Sequence, residues 1–296
     1  MNDTSAEAAP DCAPPQQPGA KAPRARLPAG ACDAHCHVFG DRGRYPLDPR
    51  RNYTPHVGTL ADHGAMMAAC GIERAVLVQP SVYGTDNACL LDALREAASD
   101  GDAVRGVVVP DAAASDEELL AMDALGVRGI RLNLVNPQML ALDDAIALCT
   151  RMRPCGWHLQ VHLMLAADGA ATLARLADRI DVPIVVDHFG RPAAGAALPS
   201  LLLELVASGR VWVKLSASYR VSAHPGPAHP DVAPLVDALV AANPGRLLWG
   251  SDWPHTELHG ATPHDADLVD ELVSWLPDAA LLRRVCVDNP AALYRF

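Results

Sequence analysis

His35 and His37 stand one residue apart in Asp33-Ala34-His35-Cys36-His37, with the apolar Val38-Phe39 and then Gly40 behind them. Side chains alternate faces along a strand, so the two imidazoles point the same way. A pair so placed can grip one metal ion or one substrate carbonyl. Taken alone, a His-x-His is better explained by ordinary hydrogen bonds in a strand-end loop. Three further groups change the weighing, because His162, His188 and Asp252 each stand at the end of a later apolar run. Four imidazoles and one carboxylate are the parts of a site that activates water beside a polarised carbonyl.

The elements that must position them can be read from periodicity. Ala75-Val76-Leu77-Val78 reads as a buried parallel strand ended by Gln79-Pro80. Further strands are expected at Gly106 to Val109, Val127 to Leu134, His158 to Leu163, Ile184 to His188, Val211 to Leu215 and Leu247 to Asp252. Helical segments alternate with them, including Leu60 to Cys70, Asn87 to Ser99, Asp116 to Leu125, Leu142 to Met152, Ala170 to Arg179, Leu198 to Ala207 and Val232 to Ala242. With the His-x-His strand this makes eight strands, the pattern of a single (β/α)8 TIM barrel over residues 29–296. An open doubly wound sheet is the competitor, but no G-x-G-x-x-G or G-x-x-x-x-G-K-[ST] loop follows any strand. In a barrel, residues at C-terminal strand ends converge on one mouth however far apart they are in the chain. Taken singly, His162 could be a core histidine bonded to backbone, and Asp252 could cap the turn into Trp253-Pro254.

Composition narrows the partners. The 35 acidic against 24 basic residues leave a net charge of −11, which argues against nucleic acid or an anionic membrane surface. An anionic substrate would need a local island of arginines. Eight cysteines without a C-x-x-C pair read as free thiols of a cytoplasmic protein. No apolar run reaches the roughly 18 to 20 residues of a membrane span, and the start does not read as a signal peptide. Residues 1 to about 28 are rich in Ala and Pro and lack any period that could pack, so a disordered arm is expected. The long irregular stretch from Asp41 to Pro55 is of a kind that covers sites, and makes Tyr53 a candidate wall. His224, His229 and His259 lie in loop-like surroundings and are expected to be solvated, whereas His255, just after Asp252-Trp253-Pro254, is placed to reach substrate.

From Cys32 to its end the chain resembles the amidohydrolase superfamily, in the branch of 2-pyrone-4,6-dicarboxylate lactonase and related muconolactone and sugar-acid lactonases. The stretches that carry the resemblance are Asp33 to Gly40, Tyr53-Thr54-Pro55, Val127 to Asn133, Val186 to Pro192, Leu248 to His255 and Asp288-Asn289-Pro290. It implies opening of the ring of a carboxylated lactone. His35, His37 and His188 would surround the carbonyl, with Asp252 as the base, Arg131 and Arg220 on substrate carboxylates, and Tyr53 lining the pocket. Guanidinium groups suit that task because they bind carboxylates bidentately. Two departures matter. Where the pyrone lactonase has a second arginine beyond Arg131, this chain reads Val135-Asn136-Pro137-Gln138, which points away from the pyrone dicarboxylate itself. His162 stands where that metal-free enzyme has a tyrosine, so the set resembles the mononuclear metal pattern of other amidohydrolases. One divalent ion, zinc first, is expected on His35, His37, His162 and Asp252, with a metal-free mechanism as the near rival. Metal-dependent decarboxylation of an aromatic or dienoic acid, which would release carbon dioxide, is the second rival. A barrel that only sequesters an acidic sugar derivative, leaving its ligand unchanged, is the third.

Overall fold

A computed structural model describes residues 9–136, 140–166, 168–226 and 228–296. Pro137 and Gln138, where a second arginine is missing, lie outside the described residues. Eight parallel strands follow one another round the barrel in chain order: β1 (Cys32–Cys36), β2 (Arg74–Val78), β3 (Ala103–Val108), β4 (Val127–Asn133), β5 (His158–His162), β6 (Ile184–Val186), β7 (Val211–Ser216) and β8 (Leu247–Gly250). The seam between β8 and β1 is joined just past the strand ends. There the Asp252 N–H donates to the His35 carbonyl and the His37 N–H to the Trp253 carbonyl, each at 2.8 Å. Between the strands run α1 (Leu60–Cys70), α2 (Ala88–Asp100), α3 (Asp116–Ala124), α4 (Leu142–Met152), α5 (Gly169–Arg179), α6 (Ser200–Ala207) and α7 (Ala233–Ala242). The sequence also folds α8 (Asp265–Trp275) and, after a five-residue α9 (Ala279–Arg283), α10 (Asn289–Tyr294), which periodicity did not single out.

Local chemistry explains the element ends. Thr59 with Asp62, and Ser115 with Glu118, form reciprocal capping boxes that start α1 and α3. Gly71 and Gly101, both left-handed, end α1 and α2. The strand expected to run to His188 stops at Val186, because His188 and Phe189 take φ of 50° and 57° and turn the chain out of the sheet.

Inside the barrel the inward positions stack in layers, as alternation requires. From floor to mouth β5 presents His158, Gln160 and His162, and β7 presents Trp212, Lys214 and Ser216. The floor is apolar, with Val76, Val107, Trp212 and Leu248 packed with Leu293 and Tyr294 of α10. Tyr294 is fully buried, its ring edge-on to His158 at 5.3 Å between centroids.

From residue 9 onward the N-terminal arm has no helix of its own, as its composition implies, yet it is tied to the mouth. Cys12 N–H donates to the Thr54 carbonyl at 2.8 Å and Ala13 N–H to the Leu258 carbonyl at 2.6 Å. Arg24 pairs with Asp270 at 2.9 Å. The arm thereby links the loop carrying Tyr53 to the loop after β8. Among the described residues, no helix is long and apolar enough to cross a membrane.

Gly250 sits where β8 crosses closest to β1. A β-carbon there would lie 2.6 Å from both the Cβ and the backbone nitrogen of His35. Gly250→Ala is therefore expected to cost about 1–3 kcal/mol by overpacking a site with no room to give, and to displace His35. Urea unfolding and turnover measured on the same preparation would check both effects.

Candidate active site

The register of β1 against β2 slips between Asp33 and Cys36. Below the slip Asp33 turns outward, where it accepts from His63 of α1 at 3.1 Å and from the Ser251 N–H at 2.9 Å. Above it His35 and His37 face the mouth. An irregularity of this kind re-aims side chains that simple alternation would keep together.

Four of the expected groups meet around one oxygen. Asp252 Oδ1 lies 3.6 Å from His35 Nε2, 3.7 Å from His37 Nε2 and 3.6 Å from His188 Nε2. Its other oxygen accepts from the Tyr219 hydroxyl at 2.7 Å and from Arg220 Nε at 3.0 Å. Burial alone would weaken the acid, but the Arg220 guanidinium, foremost among the groups that favour the carboxylate, holds Asp252 well below the usual carboxylate range.

The tautomers follow from the partners behind the rings. His37 Nδ1 is 2.7 Å from the Val78 carbonyl, which can only accept, so Nδ1 carries the proton and Nε2 turns a bare lone pair to the cavity. His35 Nδ1 lies 3.2 Å from Asp187 Oδ1, and its Nε2 is buried without a hydrogen-bond partner. Burial pushes His35 down to about 3 against the pull of Asp187, so its ring is neutral. With its proton directed from Nδ1 at Asp187, the ring's one free lone pair, on Nε2, faces Asp252. The ligand atoms of His35, His37 and Asp252 lie within 4.8 Å of one another. Two bare imidazole nitrogens and a carboxylate oxygen suit a divalent cation, and Val78 and Asp187 are the outer partners such ligands use. His162 stands beside this group. Its ring is edge-on to His188 at 5.4 Å, its Nδ1 is buried and unpartnered, and its Nε2 is 3.5 Å from Arg191.

Above these groups the walls leave a cavity of about 20 Å³, lined by Tyr53, Arg131, Arg220, Asn133 and Glu257 together with His37, His162, His188 and Asp252. That is about the space of one water molecule, well below the volumes of ligand sites. Arg131 donates from Nη1 to the Gln79 carbonyl at 2.8 Å, and Arg220 also contacts Glu257 at 3.5 Å. His255 is absent from the lining. It is fully buried behind Tyr219, with Nδ1 3.3 Å from the tyrosine hydroxyl and Nε2 3.1 Å from Asp265. Left-handed turns at Asp252 and His255 fold the chain back on itself and set this imidazole between Tyr219 and Asp265 rather than on the cleft wall. His229 is also buried, 2.8 Å from Glu271, while His224 and His259 are exposed as expected.

Sequence reasoning missed the layer beneath. Lys214 has no exposed surface; its ammonium donates to Gln160 Oε1 at 2.6 Å and lies 3.6 Å from Asp187 Oδ1 and 3.3 Å from His35 Nδ1. Burial brings it down to about 8. Gln160 Nε2 donates to Asp187 Oδ2 at 3.2 Å. His188 Nδ1 pairs with Ser216 Oγ at 2.8 Å. One signal was available: a lone lysine inside the apolar run Val211-Trp212-Val213-Lys214-Leu215.

Removing one partner of such a pair strands the other charge. Asp187→Leu should destabilise the fold by about 3–5 kcal/mol, and adding Lys214→Met should restore much of the loss; urea unfolding of the single and double variants measures both. Burial also holds His188, and burial with Arg131 holds His162, well below the ordinary imidazole value. Unfolded histidines take up protons near pH 6.5, whereas the folded ones resist, His35 until about pH 3. The unfolded state thus binds more protons in that window, so stability is complete above pH 6.5 and falls as pH drops through it. Melting temperatures recorded between pH 7 and 4 should decrease steadily.

The amidohydrolase family profile matches residues 32–296. The chain is 37% identical to a 4-sulfomuconolactone hydrolase of Rhizobium radiobacter, covering 94% of this chain and 96% of that one. It is 36% identical to a 2-pyrone-4,6-dicarboxylate hydrolase of Comamonas testosteroni over 92% of each. A solved apo structure from Agrobacterium tumefaciens superposes with a TM-score of 0.79 at 29% identity, covering 93% of this chain and 99% of that one. With its barrel, its His-x-His strand and a family match over nearly all of its length, the chain belongs to the amidohydrolase family.

Proposed function

We propose that this protein is a lactonase, which hydrolyses the ring ester of a small carboxylated lactone. The observation that carries the reading is Asp252 Oδ1 set 3.6–3.7 Å from three imidazole Nε2 atoms below a cleft that two arginines enter. Relatives at 36–37% identity, named for hydrolysis of a sulfomuconolactone and a pyrone dicarboxylate, support the choice of ring ester. Both of those compounds are anionic lactones.

The mechanism follows from the charges. Asp252 is ionised at neutral pH, but Arg220, by depressing its pKa, also makes it a weak base. It takes a proton more readily from water that has been acidified. A divalent ion, zinc by the nitrogen-rich donor set, would lower the pKa of water toward about 7 and polarise the ester carbonyl. His35, His37 and Asp252 would hold it, with His162 as the fourth ligand. Tyr219 and Arg220 grip Asp252 Oδ2 and so keep Oδ1 turned to the cleft. Asp252 receives the proton of the attacking water and returns it to the ring oxygen as the tetrahedral adduct opens. His188 stabilises the carbonyl oxygen as negative charge develops there. Arg131 holds the substrate carboxylate, and Tyr53 forms the apolar wall. The product hydroxy acid ionises, so each turnover releases one proton. Seven of the eight cysteines are buried thiols and none is in a disulfide, which fits the reducing cytoplasm we assign to the protein.

The test is proton release in a pH-stat with muconolactone and sugar-acid lactones. Asp252→Asn should lower kcat by about 10²–10⁴-fold in a protein that circular dichroism still shows folded, with a lowered melting temperature because Arg220 loses its buried partner. Elemental analysis of the purified wild type should find one metal per chain, and dialysis against a chelator should remove both metal and activity. Turnover retained in the Asn variant would reject the assigned role of Asp252, and carbon dioxide release in place of protons would identify a decarboxylase.

A further inference from the structure

A cavity of about 20 Å³ holds one water and no lactone, so part of its wall must move before the site can bind. Of the twelve lining residues ten are buried, and only Arg220 and Glu257 keep some of their surface in solvent. The route from solvent to the cavity passes this pair.

Arg220 is the fixed half. Its Nε donates to Asp252 at 3.0 Å, its Nη2 to the Thr256 carbonyl, and its guanidinium lies over the Tyr219 ring, 5.3 Å from the centroid. Glu257 is the loose half. Its Oε2 accepts from Arg220 Nη1 at 3.5 Å and its Oε1 from Asn52 Nδ2 at 3.3 Å, both longer than the roughly 2.7–2.9 Å of a strong charge-assisted bond. The backbone N–H of Glu257 meets Cys12 Sγ of the N-terminal arm at 3.3 Å, and its φ of 61° is uncommon for a residue with a side chain. Strained backbone of this kind recurs at ligand clamps and switches. One residue of the loop after β8 thus closes the mouth against Asn52 on one side and Arg220 on the other, through contacts weak enough to break.

We propose that Glu257 is a gate that competes with the substrate by charge: in the free enzyme its carboxylate rests on Arg220 and seals the cavity, and an incoming anion displaces it toward solvent. Two carboxylates crowded against one guanidinium repel each other, so binding of the anion and opening of the gate are a single event. An uncharged ring has no such means of releasing Glu257. The choice of an anion as the displacing group rests on the lactonase reading above; the closure of the cavity by Glu257 does not.

Isothermal titration calorimetry with benzoate and with benzamide, its uncharged counterpart, reads the gate without turnover. Glu257→Gln keeps the shape of the side chain and removes its charge. This variant should bind benzoate about 10-fold more tightly than the wild type, because affinity no longer carries the cost of displacing the carboxylate, and benzamide should be unchanged. Glu257→Ala should tighten benzoate at least as much. A Gln variant that matches the wild type for benzoate while the Ala variant gains both probes overturns the proposal, since Glu257 would then be a plug without a charge role. Weaker benzoate binding in both variants also overturns it and makes Glu257 a support of the mouth, as does the absence of benzoate binding in wild type and Gln variant alike. If no lactone yields protons while the Gln variant still gains benzoate, the lactonase reading fails and the gate stands; proton release from a lactone without that gain leaves the lactonase and removes the gate.

Discussion

A lysine sealed from water lies across the middle of the barrel, and the site above depends on its compensation. Lys214 reaches Gln160, Asp187 and His35 at 2.6, 3.6 and 3.3 Å, and none of these four residues has exposed surface. A buried charge is tolerable only when paired and hydrogen-bonded. Asp187 answers that need and sets the His35 ring at the same time, because one of its oxygens faces both Lys214 and His35 Nδ1. The ion pair is therefore part of how a neutral His35 presents its second nitrogen to Asp252. Replacing the layer with apolar residues would solve the desolvation problem and remove that orientation.

The mouth above the layer is held in shape by backbone that relaxed chains avoid. His188, Phe189, Arg191, Ala217, Asp252, His255 and Glu257 all have positive φ, and all follow the C-terminal ends of β6, β7 or β8. Strain concentrated in one place needs surrounding contacts to hold it. The seam bonds between Asp252 and His35 and between His37 and Trp253 supply some of them. The N-terminal arm supplies more, since its bonds to Thr54 and Leu258 tie two loops of the cleft together. Composition alone suggests that this arm is disordered, because an extended chain docked by backbone hydrogen bonds needs no hydrophobic period of its own.

How much could be read in advance differs between wall and mouth. The helix read from Leu142 to Met152 and the strands starting at Val127, His158, Ile184, Val211 and Leu247 begin where the structure begins them. These stretches are buried on one or both faces, and burial writes periodicity into residue types. The strand read through His188 ends early, because His188 and Phe189 already take left-handed backbone before Gly190, the glycine that marks the turn, is reached. His255 illustrates the same limit. Its distance from Asp252 in sequence suggested a second cleft residue, whereas the direction of the chain after Asp252 turned it toward Asp265.

The amino-acid sequence by itself determined the barrel and the convergence of five candidate groups on its mouth. Alternating apolar runs and helical segments leave few other ways to bury so much hydrophobic surface, and a barrel brings His35, His37, His162, His188 and Asp252 to one mouth. Tertiary structure alone decided what those residues can do there. The slip in β1 aimed His35 and His37, the Val78 carbonyl fixed the tautomer of His37, and Lys214, 179 residues away, came to lie under His35. Proton positions and charge states depend on partners and desolvation at a few ångströms, and distances of that kind between remote residues exist only once the chain has closed.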